Sequence, residues 1–301
     1  MDDIIITGND PQFIQTLIHY LSTVFEMKDL GPLNYFLGLQ IHNTTTGISI
    51  NQHKYLQDLL VKAQMHESKP CKTPSAVSTK LCKIDGSPLS DPTPYRSIVG
   101  ALQYLTFTRP DITYAVNHVC QFMHCPTDVH YAAVKRILCY LNGTPSLGLH
   151  YSRNSLQLLA FSNADWAGDP YDRRSTSGCL VFLGSDPICW SSKKQHTVAR
   201  SSTEAEYRAM ANTAVELAWL RMLLRDLHVP LFYPPTIYYD NISALSLASN
   251  PVFHARTKHI EIDYHFVRER VVRTDLEVHF VSSVDQLADF LTKGLSSSKF
   301  L

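Results

Sequence analysis

The stretch of residues 158–211 constrains the fold of this 301-residue chain more than any other. Apolar runs alternate with polar turns, and a Ser- and Thr-rich segment then opens a helix. The pattern predicts strands at residues 158–163, 178–182 and 188–192, and a later apolar segment predicts a fourth at 237–240. We therefore expect a mixed β-sheet with flanking helices, an α/β (α+β) class of fold.

Acidic residues fall at the ends of these elements. Asp165 follows the first strand, Glu206 lies in the first turn of the helix, Asp240 ends the fourth strand, and Asp289 lies near the C-terminus. Carboxylates that come together from several elements are typical ligands of Mg²⁺ or Mn²⁺. The sequence therefore predicts one divalent-metal site.

Helix geometry selects Glu206 over Glu204. The two residues lie about 200° apart around a helix, and Glu206 shares its face with the apolar Met210 and Leu217. Glu204 precedes Arg208 by four residues and can pair with it toward solvent. A capping box is the alternative role, because Thr203 and Glu206 have its spacing.

The two later acids also have structural alternatives. Asp240 could cap a following helix, and Asp289 could lie favourably near the positive end of the final helix. Trp166 and Trp190 are expected in the core.

The overall charge indicates no nucleic-acid partner, because 27 basic residues balance 27 acidic ones. Local basic groups around the acids could still contact phosphates, although such charges are commonly a solvated face. These candidates are Arg173, Arg174, Lys193, Lys194, Arg200, Arg256 and Lys258.

Seven cysteines without metal-binding spacing are typical of a reduced, intracellular protein. The sequence shows no signal peptide and no apolar run of the roughly 18 residues that a membrane span needs. We therefore expect an intracellular protein, in the cytoplasm or nucleus, with no membrane partner.

The N-terminal half reads as a helix followed by a hairpin and further helices. Asp10 and Pro11 predict a helix start, and the helix is expected to bury one apolar stripe. That stripe consists of Phe13, Leu17, Tyr20, Leu21 and Val24. Prolines separate three more predicted helices between residues 95 and 142.

Several long motifs resemble the copia-type LTR retrotransposon Pol polyprotein, in the order of its C-terminal half. They are MDDIIITG, LGPLNYFLGLQI, YRSIVGALQYLTFTRPDI, ADWAGDPYDRRSTSG, WSSKKQ, SSTEAEYRA, RTKHIEIDYHFVRE and ADFLTKGL. The resemblance covers essentially the whole chain.

The resemblance implies three regions. Residues 1–80 resemble the end of the reverse-transcriptase palm and thumb, 81–152 a helical thumb or connection region, and 153–301 an RNase H-like domain. It implies a nuclease that cleaves the RNA of an RNA·DNA hybrid with two divalent ions. The implied metal ligands are Asp165, Glu206, Asp240 and Asp289.

Asp2 and Asp3 resemble the paired acids of the polymerase site. Two-metal phosphoryl transfer needs a further carboxylate, which the family carries on an earlier strand and this chain lacks. The expectation is therefore that the chain does not polymerise DNA.

The chain departs from the family at Asn163, where the family has the first Asp of its nuclease site. Asp165, two residues on, is a possible substitute. The hypotheses are an RNase H-type enzyme weakened by Asn163, and an inert nucleic-acid-binding relic or domesticated protein of the same fold. An integrase or resolvase with the same core is a third, disfavoured by the SSTEAEY helix.

Overall fold

The computed structural model describes residues 4–77, 80–241 and 261–300. Its helices are α1 (Pro11–Val24), α2 (His53–Lys62), α3 (Thr93–Leu105), α4 (Thr113–Cys120), α5 (Asp128–Asn142), α6 (Ser202–Asp226), α7 (Glu261–Val272) and α8 (Ser297–Phe300). Its strands are β1 (Tyr35–Phe36), β2 (Leu39–Asn43), β3 (Gly47–Asn51), β4 (Leu149–Ser152), β5 (Leu158–Asp165), β6 (Thr176–Leu183), β7 (Asp186–Lys194), β8 (Thr236–Tyr239) and β9 (Glu277–Phe280). Short 3-10 helices occupy Pro110–Ile112 and Leu287–Leu291.

The strands form two sheets. The smaller has the order β1-β2-β3-β4 and is antiparallel throughout. The larger has the order β7-β6-β5-β8-β9, with antiparallel pairing from β7 to β5 and parallel pairing from β5 to β9. The predicted mixed α/β class is confirmed, and all four predicted strands belong to the larger sheet.

Strand β5 is the centre of the larger sheet, because it pairs with β6 on one side and β8 on the other. Leu158 and Ala160 alternate onto the face that packs with Tyr207 and Met210 of α6. Phe161 points to the opposite face and stacks on Tyr238 with ring centroids 5.1 Å apart. Both faces of β5 are therefore covered along its first half, which fixes its register.

A second core lies among the helices α2 to α5. It includes Leu60, Val99, Leu102, Val134 and Leu141, all of which are fully buried. Trp190 of β7 donates its indole N–H to the carbonyl oxygen of Thr106 at 2.9 Å, which links the larger sheet to the end of α3.

The expected buried stripe of α1 is wrong. Asp10 does cap the helix, since it accepts hydrogen bonds from the backbone N–H groups of Gln12 and Phe13. No residue of α1 is buried, however, and the side chains of Phe13 and Tyr20 are 65% and 62% exposed. An amphipathic stripe becomes buried only where another element covers it, and no described helix or strand packs extensively against α1.

Two further predictions about packing are wrong. Trp166 is 52% exposed, because its ring lies outside while its indole N–H donates to the carbonyl oxygen of Ala199. The apolar residues Ile260, Ile262, Phe266 and Val267 predict the inward face of a helix at residues 260–267. Ile262 is instead 85% exposed, because the buried face of α7 is formed by Tyr264 and Val267, and Ile260 lies outside the described residues.

Among the described residues, no helix combines the length and the apolarity that crossing a membrane requires.

A buried ion pair links the helical core to the start of the sheets. Arg109, whose side chain is only 3% exposed, bonds both carboxylate oxygens of Asp111 and the carbonyl oxygen of Thr144. Tyr140 donates its hydroxyl to the same Asp111 carboxylate at 2.7 Å. The guanidinium charge is therefore compensated only while Asp111 is present.

We expect Asp111→Ala to lower the free energy of unfolding by about 3–5 kcal/mol, because it leaves the buried Arg109 charge unpaired. Urea denaturation of the full chain measures this change. Glu67→Ala is the control, since the Glu67 side chain is 90% exposed and its pair with His66 spans 3.8 Å. Equal losses in the two variants would contradict the assignment.

Candidate functional site at the end of the central strand

The candidate site begins at Asn163, near the C-terminal end of β5. Asn163 is 5% exposed and lies opposite Gly178 of β6. The parallel register pairs Phe161 with Tyr238, and its continuation by two residues places Asp240 beside Asn163. Asp240 accepts a hydrogen bond from the hydroxyl of Ser283 at 2.9 Å.

Glu206 reaches the same strand end from α6. Ser201 caps this helix by accepting from the backbone N–H of Glu204, so Thr203 is not the cap and the capping box considered for Glu206 is absent. Glu206 is 9% exposed, and its Oε2 accepts from the backbone N–H of Ala164 at 3.1 Å. The inward orientation that helix geometry predicts is therefore observed.

Glu204 lies on the other side of the helix and pairs with Arg208, as predicted, but the pair does not face solvent, because the Glu204 and Arg208 side chains are only 11% and 16% exposed. Its Oε1 accepts from Arg208 at 2.7 Å, and its Oε2 accepts from the backbone N–H of Arg200 at 2.7 Å. These contacts hold Glu204 outside the group around Asn163.

Asp289 is brought to Asn163 by the segment that contains the 3-10 helix Leu287–Leu291. The side chain of Gln286 caps this helix and also donates to the carbonyl oxygen of Ser162 in β5 at 3.1 Å. Asp289 Oδ1 accepts from Asn163 Nδ2 at 2.5 Å. Asp289 therefore lies inside a short 3-10 helix and does not begin the final helix, which corrects the sequence prediction.

Gly178 makes this docking possible. A Cβ atom at residue 178 would lie 2.8 Å from Thr292 Cγ2, 2.9 Å from Leu291 Cβ and 3.0 Å from the carbonyl oxygen of Ala288. The missing side chain on β6 is the space into which the Asp289 segment packs.

The carboxyl group of Glu206 has a strongly altered affinity for protons. Burial raises its pKa to about 8, and the neighbouring carboxylates of Asp240 and Asp289 contribute to the increase, against the hydrogen bond from Ala164. Repulsion of this kind shows that Glu206, Asp240 and Asp289 form one electrostatic group.

Asp165 belongs to a different environment. Its Oδ1 accepts from the backbone N–H of Thr176, and burial raises its pKa to about 7. The nearby charges that shift this pKa are those of Lys80, Asp169 and Lys293. Asp165 also helps raise the pKa of Tyr114 in α4, mainly a burial effect, to about 12. Asp165 therefore shares the charge of Lys293 with Glu206, but Thr176, Asp169 and Tyr114 set the rest of its surroundings.

The residues of the site do not fit a divalent ion in the arrangement observed. Within residues 4–77, 80–241 and 261–300, no three His, Cys, Asp or Glu side chains are grouped so that they could hold a metal. Asn163 presents an N–H donor to Asp289, and Lys293 Nζ lies 2.8 Å from the same carboxylate oxygen. The carboxylates offer the oxygen atoms that Mg²⁺ or Mn²⁺ prefers. The Asn163 amide N–H and the Lys293 ammonium group, however, contact Asp289 Oδ1, where a metal ion would bind.

The predicted basic residues fall into three groups. Arg173, Arg174, Lys193 and Arg200 are exposed on the surface. Lys194 is engaged in ion pairs with Asp169 at 2.5 Å and Asp172 at 2.9 Å. Arg256 and Lys258 lie outside the described residues, as do the polymerase-like Asp2 and Asp3.

Sequence reasoning missed Lys293 and Thr292. Thr292 is fully buried, and its Oγ1 accepts from Asn163 Nδ2 at 3.2 Å. The four-residue spacing from Asp289 to Lys293 was the available signal, because it matches an ion pair on one helical turn.

The comparisons with known proteins agree with this architecture. The family model "Reverse transcriptase (RNA-dependent DNA polymerase)" matches residues 1–77. The Retrovirus-related Pol polyprotein from transposon RE1 of Arabidopsis thaliana is 54% identical over all 301 residues, which make up 20% of that protein. The uncharacterized mitochondrial protein AtMg00810, also of Arabidopsis thaliana, is 50% identical over 220 residues, 73% of this chain and 91% of that protein.

The RE1 relative, which is similar over the whole of this chain, is a transposon-encoded polyprotein. The chain belongs to the family of copia-type retrovirus-related Pol polyproteins. It spans about one fifth of the length of the polyprotein from transposon RE1.

Among solved structures, the foamy viral protease-reverse transcriptase in complex with double-stranded DNA is similar with a TM-score of 0.48 and 14% identity. The match covers 82% of this chain and 37% of that one.

Glu206→Gln should stabilise the chain increasingly as the pH rises. The pKa of Glu206 in the folded chain is about 8, above its ordinary value of 4.5. The contribution of its carboxyl group to folding stability is therefore fully present below pH 4.5 and is lost as the pH rises through 8. We expect the melting temperature of Glu206→Gln, relative to wild type, to increase by about 4 °C between pH 5 and 9 in EDTA.

Glu204→Gln is the matched control on the same helical turn. It loses the pair with Arg208 and should be no more stable than wild type at either pH. A constant difference between Glu206→Gln and wild type across this range would refute the placement of Glu206 among the acids.

Proposed function

We propose that residues 153–301 act as the RNase H-type unit of a transposon Pol polyprotein. The unit binds an RNA·DNA hybrid, and its cleavage of the RNA strand is impaired by Asn163. The observation that carries this proposal is the position of Asn163 at the end of β5, in contact with Asp289 and beside Asp240. The family resemblance supplies the reaction and the hybrid partner.

The impairment follows from charge. Asparagine keeps one oxygen that could bind a metal, but it lacks the negative charge of aspartate. Two unit charges about 4 Å apart interact by roughly 4 kcal/mol at an effective dielectric near 20, and a divalent ion doubles this value. Since each 1.36 kcal/mol corresponds to about tenfold in rate, the loss reaches orders of magnitude.

Three carboxylates remain available to the activity, namely Glu206, Asp240 and Asp289. Mg²⁺ or Mn²⁺ is the cofactor that the family resemblance implies, but in the observed arrangement Asn163 Nδ2 and Lys293 Nζ contact the Asp289 oxygen that would bind it. The exposed basic residues Arg173, Arg174, Lys193 and Arg200 are the proposed phosphate contacts.

A second candidate function is an inert hybrid-binding relic of the same fold. It is favoured by the saturation of Asp289 Oδ1, which contacts both Asn163 Nδ2 and Lys293 Nζ. A carboxylate oxygen with two donors in contact is a poor ligand for a further cation. The two candidates differ in whether restoring the acid restores cleavage.

Asn163→Asp should raise hybrid cleavage by at least about a hundredfold, because it restores the missing charge at the strand end. The measurement is cleavage of a labelled RNA·DNA hybrid by the full chain, with Mg²⁺ and separately with Mn²⁺. Asn34→Asp, which adds the same charge at an exposed position of the other half of the chain, should leave the rate unchanged.

The outcomes separate the candidates. Hybrid binding without cleavage by either wild type or Asn163→Asp would favour the inert relic over the impaired enzyme. Equal cleavage by the two proteins, abolished in both by Asp165→Ala, would instead show that Asp165 carries the role assigned to residue 163.

A further inference from the structure

Lys293 supplies a positive charge to the acid group, which consists of Glu206, Asp240 and Asp289. The function proposed above gives this lysine no role in binding or cleavage. Its ammonium nitrogen lies 2.8 Å from Asp289 Oδ1, the oxygen that also accepts from Asn163 Nδ2 at 2.5 Å. The backbone N–H of Lys293 donates to the carbonyl oxygen of Asp289 at 3.2 Å. Lys293 thus follows Asp289 by one helical turn, and its ammonium group lies against the Asp289 carboxylate.

The charge of Lys293 acts on more than its direct partner. It lowers the pKa of Glu206 and that of Asp165, against the larger effect of burial on each. The ammonium thus lies close enough to stabilise the ionised forms of carboxylates from β5 and α6. Its own side chain is 51% exposed, whereas that of Asp289 is 14% exposed.

The surroundings of Asp289 suit an ammonium better than a divalent ion. An ammonium can approach a carboxylate that also accepts a neutral N–H, whereas Mg²⁺ requires near-octahedral oxygen ligands at short distance. Asn163 contributes a neutral side chain where an acid would add a further negative charge. A single positive charge therefore goes further toward neutralising this group than it would with Asp at position 163.

We propose that Lys293 is the resident cation of the acid group formed by Glu206, Asp240 and Asp289, and that it allows the group to fold without a divalent ion. Asn163 and Lys293 act together, one by removing a negative charge and the other by supplying a positive one. The proposal concerns the cation that the folded chain requires, so it stands whether or not the chain cleaves hybrids.

The experiment compares wild type with Lys293→Met, which keeps much of the aliphatic side chain and removes the charge. Two readouts are used on the full chain: binding of Mn²⁺ measured by electron paramagnetic resonance, and the melting temperature in EDTA and in Mg²⁺. Lys293→Arg restores a positive charge. Lys62→Met is the matched control, because Lys62 Nζ contacts the Ser97 hydroxyl at 2.9 Å and forms no ion pair with an acid of the described residues.

Wild type should bind no Mn²⁺ at this group, and Mg²⁺ should leave its melting temperature unchanged. Lys293→Met should lose about 2 °C in EDTA, recover that loss in Mg²⁺ and gain a bound Mn²⁺. Lys293→Arg and Lys62→Met should show no metal dependence.

Tight Mn²⁺ binding by wild type would overturn the proposal and requires no variant that might fail to fold. Metal-independent behaviour of a folded Lys293→Met would overturn it as well. Metal binding and melting temperature are measured here without hybrid cleavage, which the Asn163→Asp experiment measures separately, so failure here can be told apart from failure of the proposed nuclease function.

Discussion

The hydrogen bond from Asn163 to Asp289 joins the central strand to the last part of the chain, and the arrangement of the acids depends on it. Asn163 lies within β5, a strand that pairs with a neighbour on each side, so its position is set by the sheet. Asp289 has no such support of its own and is held by Asn163, by Gln286 capping its helix, and by the space over Gly178. The sheet therefore determines where the C-terminal segment lies.

The same hydrogen bond explains how the acids can lie close together without a bound metal ion. In a nuclease with an aspartate at this position, the strand end and the C-terminal segment would repel each other until a metal bridged them. Asparagine replaces that repulsion by attraction, since an amide N–H donates to a carboxylate. An aspartate at position 163 would thus favour metal binding and catalysis, whereas asparagine favours the stability of the folded chain. Such a conflict between activity and stability is common at functional sites.

Local pattern predicted the features that depend on neighbours in sequence. The strands of the larger sheet followed from apolar runs, and the inward orientation of Glu206 followed from its shared face with Met210 and Leu217. The capping of α1 by Asp10 was likewise visible, because a cap and its first turn are adjacent residues. Each of these features could be derived before any tertiary contact was known.

Features that depend on distant contacts were not predictable in this way. The apolar stripe of α1 has a periodicity typical of burial, yet no periodicity states what covers a helix. Asp165 lies two residues from Asn163, but its environment is set by Thr176 on the next strand and by Tyr114 on α4. The hydrogen bond between Asn163 and Asp289 likewise joins residues far apart in the sequence, a contact that no local pattern indicates.

The separation of 126 residues between Asn163 and Asp289 has a consequence for the order of folding. The β5–β6 hairpin joins neighbouring segments and can form early, whereas closing a loop of this length costs more entropy and is slower. During synthesis the ribosome would release the C-terminal segment last. The sheet can thus be complete while its acids are still apart, and a growing chain would carry the strand end of the site well before the carboxylate that completes it.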